Sequence, residues 1–227
     1  MRLNICDLGK MEYTETLKIQ ETLLYLRQRE MIEDTLLLVE HPSVLTIGRS
    51  SKECNVLIPK QQLENYGVKI YEVNRGGDIT YHGPGQIVGY PILNLNNHGK
   101  DIRLFLENIE NVIIRLLHDE YGIKAHRGDK KYTGIWVGEE KITAIGISIK
   151  RWVTMHGFAF NVNTNLDHFK WIIPCGISEK GVTSLQKLTK KKQDLEKINI
   201  FIARYFCEVF KMQPLIKKVE DLVQDSL

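Results

Sequence analysis

Several common functional signatures are absent from this 227-residue chain. No apolar run approaches the ~20 residues needed to span a bilayer, so no membrane segment is expected. The opening residues, MRLNICDLGKMEYTE, lack the apolar segment and cleavage site of a secretory signal, and Asp7, Glu12 and Glu15 argue against a transit peptide. A cytoplasmic location with reduced thiols is the expectation. Cys6, Cys54, Cys175 and Cys207 form no CxxC pair and are too scattered for a zinc knuckle, so no metal is expected. A net charge of +3 is too small to argue for nucleic acid. There is no GxGxxG, no Walker pattern, no GxSxG elbow and no paired carboxylates. Dinucleotide, zinc, serine-hydrolase and glycosidase chemistry are therefore disfavoured.

Repeats, low-complexity tracts and long linkers are lacking as well. One unit over residues 1–227 is expected, with 194–227 as a C-terminal helical segment. The composition, 43% hydrophobic and 26% charged, is that of a globular protein. Residues 102–121 hold apolar side chains at helical spacing, with Asp101 as N-cap and Gly122 as stop. Residues 13–31 suggest another helix, with Tyr13, Leu17, Leu24 and Met31 on one face and Ile19, Leu23 and Leu26 widening it. A short helix at 60–66, closed by Gly67, and a last one over about 194–211 complete the set. Strand-like runs occur at 35–40, 43–48, 68–73, 86–95, 133–138, 141–150 and 152–162. Pro91 inside the fourth run points to an edge or an irregularity. Strands come in runs rather than alternating with helices. The fold class is therefore α+β, a two-layer arrangement of a mixed, mainly antiparallel sheet packed with helices.

The stretch RGGDITYHGPGQ, residues 75–86, concentrates four glycines beside Arg75 and His82. A turn, a phosphate cradle, an RNA-binding box or a substrate groove could each use a backbone this bare. The groove is favoured, because glycines flanking a strand let a ligand approach the main chain. His82 could be a core histidine, a general base or a polar orienter. Arg75 could anchor the loop. In IIPCGI, Pro174 and Gly176 set Cys175 on a rigid, bare corner where a bulky substrate could reach a nucleophile. A thiol near its ordinary pKa of about 8.5 needs a cation or base to attack. Lys141 opens the strand 141–150, and strand parity places it on one face with Thr143, Ile145, Ile147 and Ile149. A lysine there either snorkels to solvent or stands at a cleft. The lysines at 187 and 190–192 read as a solvated loop or as a docking patch for an acidic partner.

Taken together, RGGDITYHGPGQ, KITAIGISIKRWVTMHGFAFNVN (141–163), PCGI (174–177), VTSL (182–185) and the weaker EHPSVLTIGR (40–49) resemble the bacterial lipoyl(octanoyl) transferases. The resemblance covers nearly the whole chain. It implies the α/β fold shared with the catalytic domain of biotin and lipoate protein ligases. It implies transfer of octanoyl from acyl carrier protein to a lysine of lipoyl domains, through a thioester on Cys175 with Lys141 as its partner. The acceptors implied are the E2 subunits of 2-oxoacid dehydrogenases and the glycine cleavage H protein. No metal, ATP or other cofactor is implied. The substrate wall would comprise Arg75, Gly76, Gly77, Asp78, Ile79, Thr80, Tyr81 and His82. Ala144, Ile145 and Gly146, with Gly157, Phe158 and Ala159, would line the acyl channel. At about 0.8 kcal/mol per buried methylene, a chain two carbons shorter binds about 15-fold worse. Two other readings are an ATP-dependent lipoate or biotin ligase, with GRSSKE (48–53) as a weak phosphate loop, and a non-catalytic carrier-protein binding module.

Overall fold

The computed structural model describes residues 1–50, 55–129, 133–172 and 180–224. A nine-stranded sheet is built from β1 (Arg2–Lys10), β2 (Asp34–Glu40), β6 (Gln86–Ile92), β7 (His126–Arg127), β8 (Gly134–Val137), β9 (Glu140–Lys150), β10 (Val153–Asn161), β11 (Gly181–Val182) and β12 (Gln213–Ile216). Its order is β12-β1-β2-β6-β10-β9-β8-β7, with β11 pairing to β9. A smaller sheet has β3 (Val44–Ile47) between β4 (Lys69–Glu72) and β5 (Ile79–His82). Pairings at β12-β1, β1-β2, β11-β9 and β3-β4 are parallel and the other six are antiparallel. The sheet is thus mixed and mainly antiparallel, as expected.

Helix α3 (Ile102–Tyr121) forms where the periodicity predicts it. The Asp101 carboxylate accepts from the amides of Arg103 and Leu104 at 2.8 and 3.1 Å, and Gly122 ends the helix at φ 64°. With α5 (Leu195–Phe210) it covers one face of the large sheet. Phe105, Ile113 and Leu117 of α3 and Ile202 and Phe206 of α5 there share one apolar cluster with Phe158 and Phe160 of β10. Helix α1 (Tyr13–Gln28) packs across β6 and β10, joined by α6 (Val219–Gln224). Their cluster, with Leu23, Val88, Tyr90, Ala159 and Leu222, lies apart from that of α3 and α5. The small sheet packs its Leu45, Ile79 and Tyr81 against Leu63 of α2 (Lys60–Asn65) and Phe169 of a 3-10 turn at Leu166–Trp171. A short α4 (Leu185–Thr189) follows β11.

Four features depart from the sequence reading. The chain opens with a strand, β1, that patterning did not flag, and the C-terminal stretch contains β12 between its helices. The buried side of α1 is Tyr13, Thr16, Gln20, Leu23, Leu26 and Arg27, while Met31 lies beyond the helix and is exposed. Pro91 does not mark an edge. It pairs with Leu36 inside the central strand β6, and the irregularity it signals is on its other side. There the Thr154 hydroxyl donates to Pro91 O at 2.7 Å and accepts from Leu93 N at 2.9 Å, linking β10 to β6 beside a proline that has no N–H to give. Finally, the β8–β9 ladder steps from Ile135–Thr143 to Trp136–Lys141, leaving Ile142 as a bulge. Ile142 therefore joins the same apolar cluster as Ile145, Ile147 and Ile149, a spacing that no regular strand places on one face.

Candidate active site

A cleft of about 790 Å3, partly open to solvent, lies where β5 and the loop before it meet β6, β9 and β10. Of the anticipated wall, Arg75, Gly77, Asp78, Ile79, Thr80 and His82 line it. So do Lys141, Ala144, Ile145 and Gly146, and Gly157, Phe158 and Ala159. Gly76 and Tyr81 do not. The Gly76 amide is bonded to Ile147 O at 2.8 Å. Tyr81 points to the far side of β5, its hydroxyl 2.7 Å from His168 Nδ1 and 3.0 Å from Ser43 Oγ.

Arg75 is an internal brace. Its Nη2 donates to Thr46 O at 2.7 Å and to Thr46 Oγ1 at 2.9 Å, and its Nη1 donates to Gly76 O at 3.0 Å. A guanidinium only 7% exposed thus ties the glycine loop to β3 and leaves a fixed positive charge under the cleft. The Asp78 carboxylate is used similarly, accepting from Asn55 Nδ2 at 2.5 Å and from the Ile79 amide at 2.7 Å.

Gly146 and Gly157 serve closer packing of the backbone. A Cβ at Gly157 would stand 2.1 Å from Gly89 O and 2.6 Å from Pro91 Cδ; one at Gly146 would stand 2.9 Å from Gly76 O. The space is taken by protein, so these positions let β10 close on β6 and the 75–77 loop close on β9.

Gln86, Asn161, Thr133, histidines and tyrosines make the rest of the polar lining, and burial holds the histidines and tyrosines neutral. His82 is pushed down to about 3, chiefly by burial and then by His41, Arg75 and His156 around it. His156 falls to about 4, by burial and then Arg75. Burial raises Tyr13 to about 12 and Tyr90 well above its ordinary value. His41 donates from Nδ1 to Met11 O at 2.8 Å and accepts at Nε2 from the Tyr90 hydroxyl at 2.8 Å. His156 sits at φ 60°, unusual for a side chain inside a strand, and its amide donates to Gln20 Oε1 at 3.0 Å.

Lys141 is 8% exposed, so it does not snorkel to solvent. Its Nζ donates to Thr133 O at 3.2 Å and lies 4.9 Å from the centre of the Trp136 ring. The bulge at Ile142 turns it to the cleft with Ala144 and Gly146, rather than to the face of Ile147 and Ile149 that parity suggests. Its backbone pairs with Val182. Cys175, like Cys54, lies outside the described residues. Both flanks of its segment line the cleft, Phe169 on one side and Val182 on the other. Cys6 and Cys207 are buried with thiol pKa values raised chiefly by burial, Cys6 to about 12, which suits inert core thiols.

Tyr13, His41, Gln86, Tyr90, His156 and Asn161 were not singled out from the sequence. The hints were the positions of His41 in EHPSVLTIGR, of Gln86 in RGGDITYHGPGQ and of His156 and Asn161 in TMHGFAFN. Among the described residues no cluster of three or more His, Cys, Asp or Glu could hold a metal ion, and no helix is long and apolar enough to cross a membrane. Lys190, Lys191 and Lys192 are exposed, whereas Lys187 pairs with Glu140 at 2.5 Å.

Residues 12–207 match the model of the lipoyl protein ligase A/B catalytic domain. A curated octanoyltransferase of Caldicellulosiruptor saccharolyticus is 56% identical over 222 residues, covering 98% of this chain and 94% of its own. One from Desulforamulus reducens is 53% identical over 226 residues, covering 98% and 99%. Among solved structures, a lipoate-protein ligase A bound with ATP superposes with a TM-score of 0.74 at 16% identity, over 99% of this chain and 94% of that one.

Proposed function

The chain belongs to the lipoyl protein ligase A/B catalytic domain family, and we propose that it is an octanoyltransferase working through a thioester on Cys175. The observation that carries this reading is a buried lysine in a cleft bordered by both flanks of the Cys175 segment. The whole chain, 1–227, acts as one transferase unit in the cytoplasm. Its protein substrates are lipoyl domains, those of 2-oxoacid dehydrogenase E2 subunits and the glycine cleavage H protein, and its donor is octanoyl-acyl carrier protein.

In the first half-reaction the Cys175 thiolate attacks the octanoyl carbonyl. The C–S bond to the carrier's phosphopantetheine breaks, and the departing thiolate takes a proton from the Lys141 ammonium. In the second, the amine of the acceptor lysine attacks the Cys175 thioester. An amide forms, Cys175 leaves as thiolate, and Lys141 recovers the proton that the amine sheds. A thioester-to-amide exchange runs downhill, so no ATP is consumed. The cationic Arg75 and Lys141, among histidines held neutral by burial, suit a site that stabilises a thiolate and an oxyanion. His82 serves as a positioning group.

The test is intact-mass measurement after mixing the protein with octanoyl-acyl carrier protein. Wild type gains one octanoyl group and Cys175→Ala gains none. A persistent adduct in Cys175→Ala, or none in wild type, rejects the covalent route. The fold likeness to an ATP-bound ligase keeps one competitor in view: efficient ATP-dependent ligation of free lipoate would favour adenylation instead.

A further inference from the structure

His82 ends a buried hydrogen-bond chain whose direction follows from its other end. The carbonyl of Thr183 can only accept, so Asn161 turns Nδ2 toward it, at 3.1 Å. Asn161 Oδ1 is then left to accept from Gln86 Nε2, at 2.9 Å. The same Nε2 donates to Tyr81 O at 3.1 Å, so both of its hydrogens are committed to acceptors. Gln86 Oε1 consequently accepts, and it lies 2.8 Å from His82 Nδ1. Nδ1 must carry the hydrogen, and the lone pair of the neutral ring stands on Nε2. Reversing any amide would set two acceptors or two donors face to face in an almost fully buried chain: Gln86 is 1% exposed, Asn161 4% and Thr183 0%. The chain also reaches the other wall of the cleft. The Thr183 amide donates to Lys141 O at 2.9 Å, directly after the pairing of Val182 with Lys141.

We propose that Gln86 and Asn161 are positioning residues that lock His82 as the Nδ1–H tautomer, so that its Nε2 accepts a hydrogen bond from an N–H of the bound substrate. This rests on the transferase reading, in which the attacking lysine amine is that N–H donor. Nε2 is available for it. Among the described residues its hydrogen-bonding neighbour is Thr46 Oγ1, 3.5 Å away, a long contact that a substrate N–H displaces. The titratable groups facing His82 are His41 with rings 6.0 Å apart, Tyr13 stacked at 6.3 Å, His156 and Arg75. Two amides, rather than carboxylates, connect His82 to the main chain. A carboxylate at either place could only accept, would break the chain's direction, and would draw a second proton onto His82.

The full-length protein labelled with 15N at histidine tests this directly. Long-range 1H–15N correlation spectra from pH 5.5 to 8 should show His82 with Nδ1 protonated and Nε2 bare throughout. An Nε2–H tautomer, or titration of His82 within that range, overturns the lock. Gln86→Glu and Asn161→Asp supply the functional arm. In Gln86→Glu, His82 should titrate within the range. Transfer from preformed octanoyl-enzyme to the acceptor lysine should fall about 10- to 100-fold at the acid end and recover as pH rises, while acylation of Cys175 keeps its rate. Asn161→Asp should shift the same profile in the same direction, by less. Equal losses in both half-reactions at every pH would mark a structural role only and reject the proposal. The tautomer of the unaltered chain decides the lock even where a variant fails to fold. Absence of any octanoyl adduct would instead reject the transferase reading and leave that spectrum unaffected.

Discussion

Helices α1 and α3 pack on opposite faces of the same sheet, and they are built on different rules. The buried face of α3 is Phe105, Ile109, Val112, Ile113, Leu116 and Leu117, with Glu110 at its margin. The buried face of α1 holds Tyr13, Leu23 and Leu26, but also Thr16, Gln20 and Arg27. Each apolar side chain on α3 is worth about 1.5–3 kcal/mol of transfer from water, and no contact there requires one particular side chain. The polar side chains of α1 reach specific partners. Gln20 Oε1 accepts from the strained His156, and Arg27 Nε donates to Asp34 at 2.6 Å, with His98 on the second oxygen at 2.6 Å. A helix that only closes a core needs shape and volume. One that also floors a cleft must satisfy backbone groups that the cleft leaves open.

That contrast can be broken in order of expected effect. Lys141→Met removes the proton carrier from the α1 side. It should slow octanoyl transfer by about 10^2–10^4-fold while the urea midpoint hardly moves; a large drop in stability instead would mean the lysine is chiefly structural. Ile113→Ala on α3 should do the reverse. A loss of about 2–5 kcal/mol in urea unfolding is expected, with the transfer rate per folded molecule unchanged. A rate loss matching that of Lys141→Met would erase the division between the two faces. Gln20→Leu should sit between them. By leaving the His156 amide without its acceptor it should cost about 1–3 kcal/mol and also slow transfer, as His156 shifts in the cleft. Unaltered kinetics in this variant would confine α1 to scaffolding.

The pH dependence of stability sharpens the same point, because the buried histidines face the α1 side. His82 and His156 have native values of about 3 and 4, below an unfolded value near 6.5. Below that value the unfolded chain takes protons that the native state refuses. Stability should therefore fall as pH drops from about 6.5 toward 4, by up to about 1.4 kcal/mol per pH unit for each histidine. A His156→Gln variant should flatten part of this slope in urea titrations, and an unchanged slope would exclude His156. The smallest effect is expected at Met31, assigned to the buried face by periodicity but 46% exposed. Met31→Ser should stay within about 0.5 kcal/mol of wild type.

The candidate site residues drew attention in the sequence because their types are costly elsewhere. A glycine cluster beside a histidine, a cysteine between proline and glycine, and a lysine heading an apolar strand each stand out from their surroundings. Gln86, His156 and Asn161 did not, since an amide or histidine in a strand is unremarkable until its partners are known. Those partners are up to 136 positions away, as with Gln20 and the amide of His156. Gly146 and Gly157 border the cleft, but the space a Cβ would take there is filled by neighbouring backbone.

The sequence by itself determined the elements whose signals are local. Capped α3, the β9–β10 hairpin turning at Arg151 and Trp152, and the bare wall before His82 all follow from periodicity, capping and turn chemistry within a few residues. Tertiary structure alone decided that Pro91 lies in a central strand, that Lys141 turns to the cleft, and that the buried face of α1 is partly polar. Each depends on a group supplied from elsewhere in the chain: the Thr154 hydroxyl, the β8 register that bulges Ile142, and the His156 amide. A buried polar group goes where its partner is, and hydrophobic patterning carries no information about distant partners.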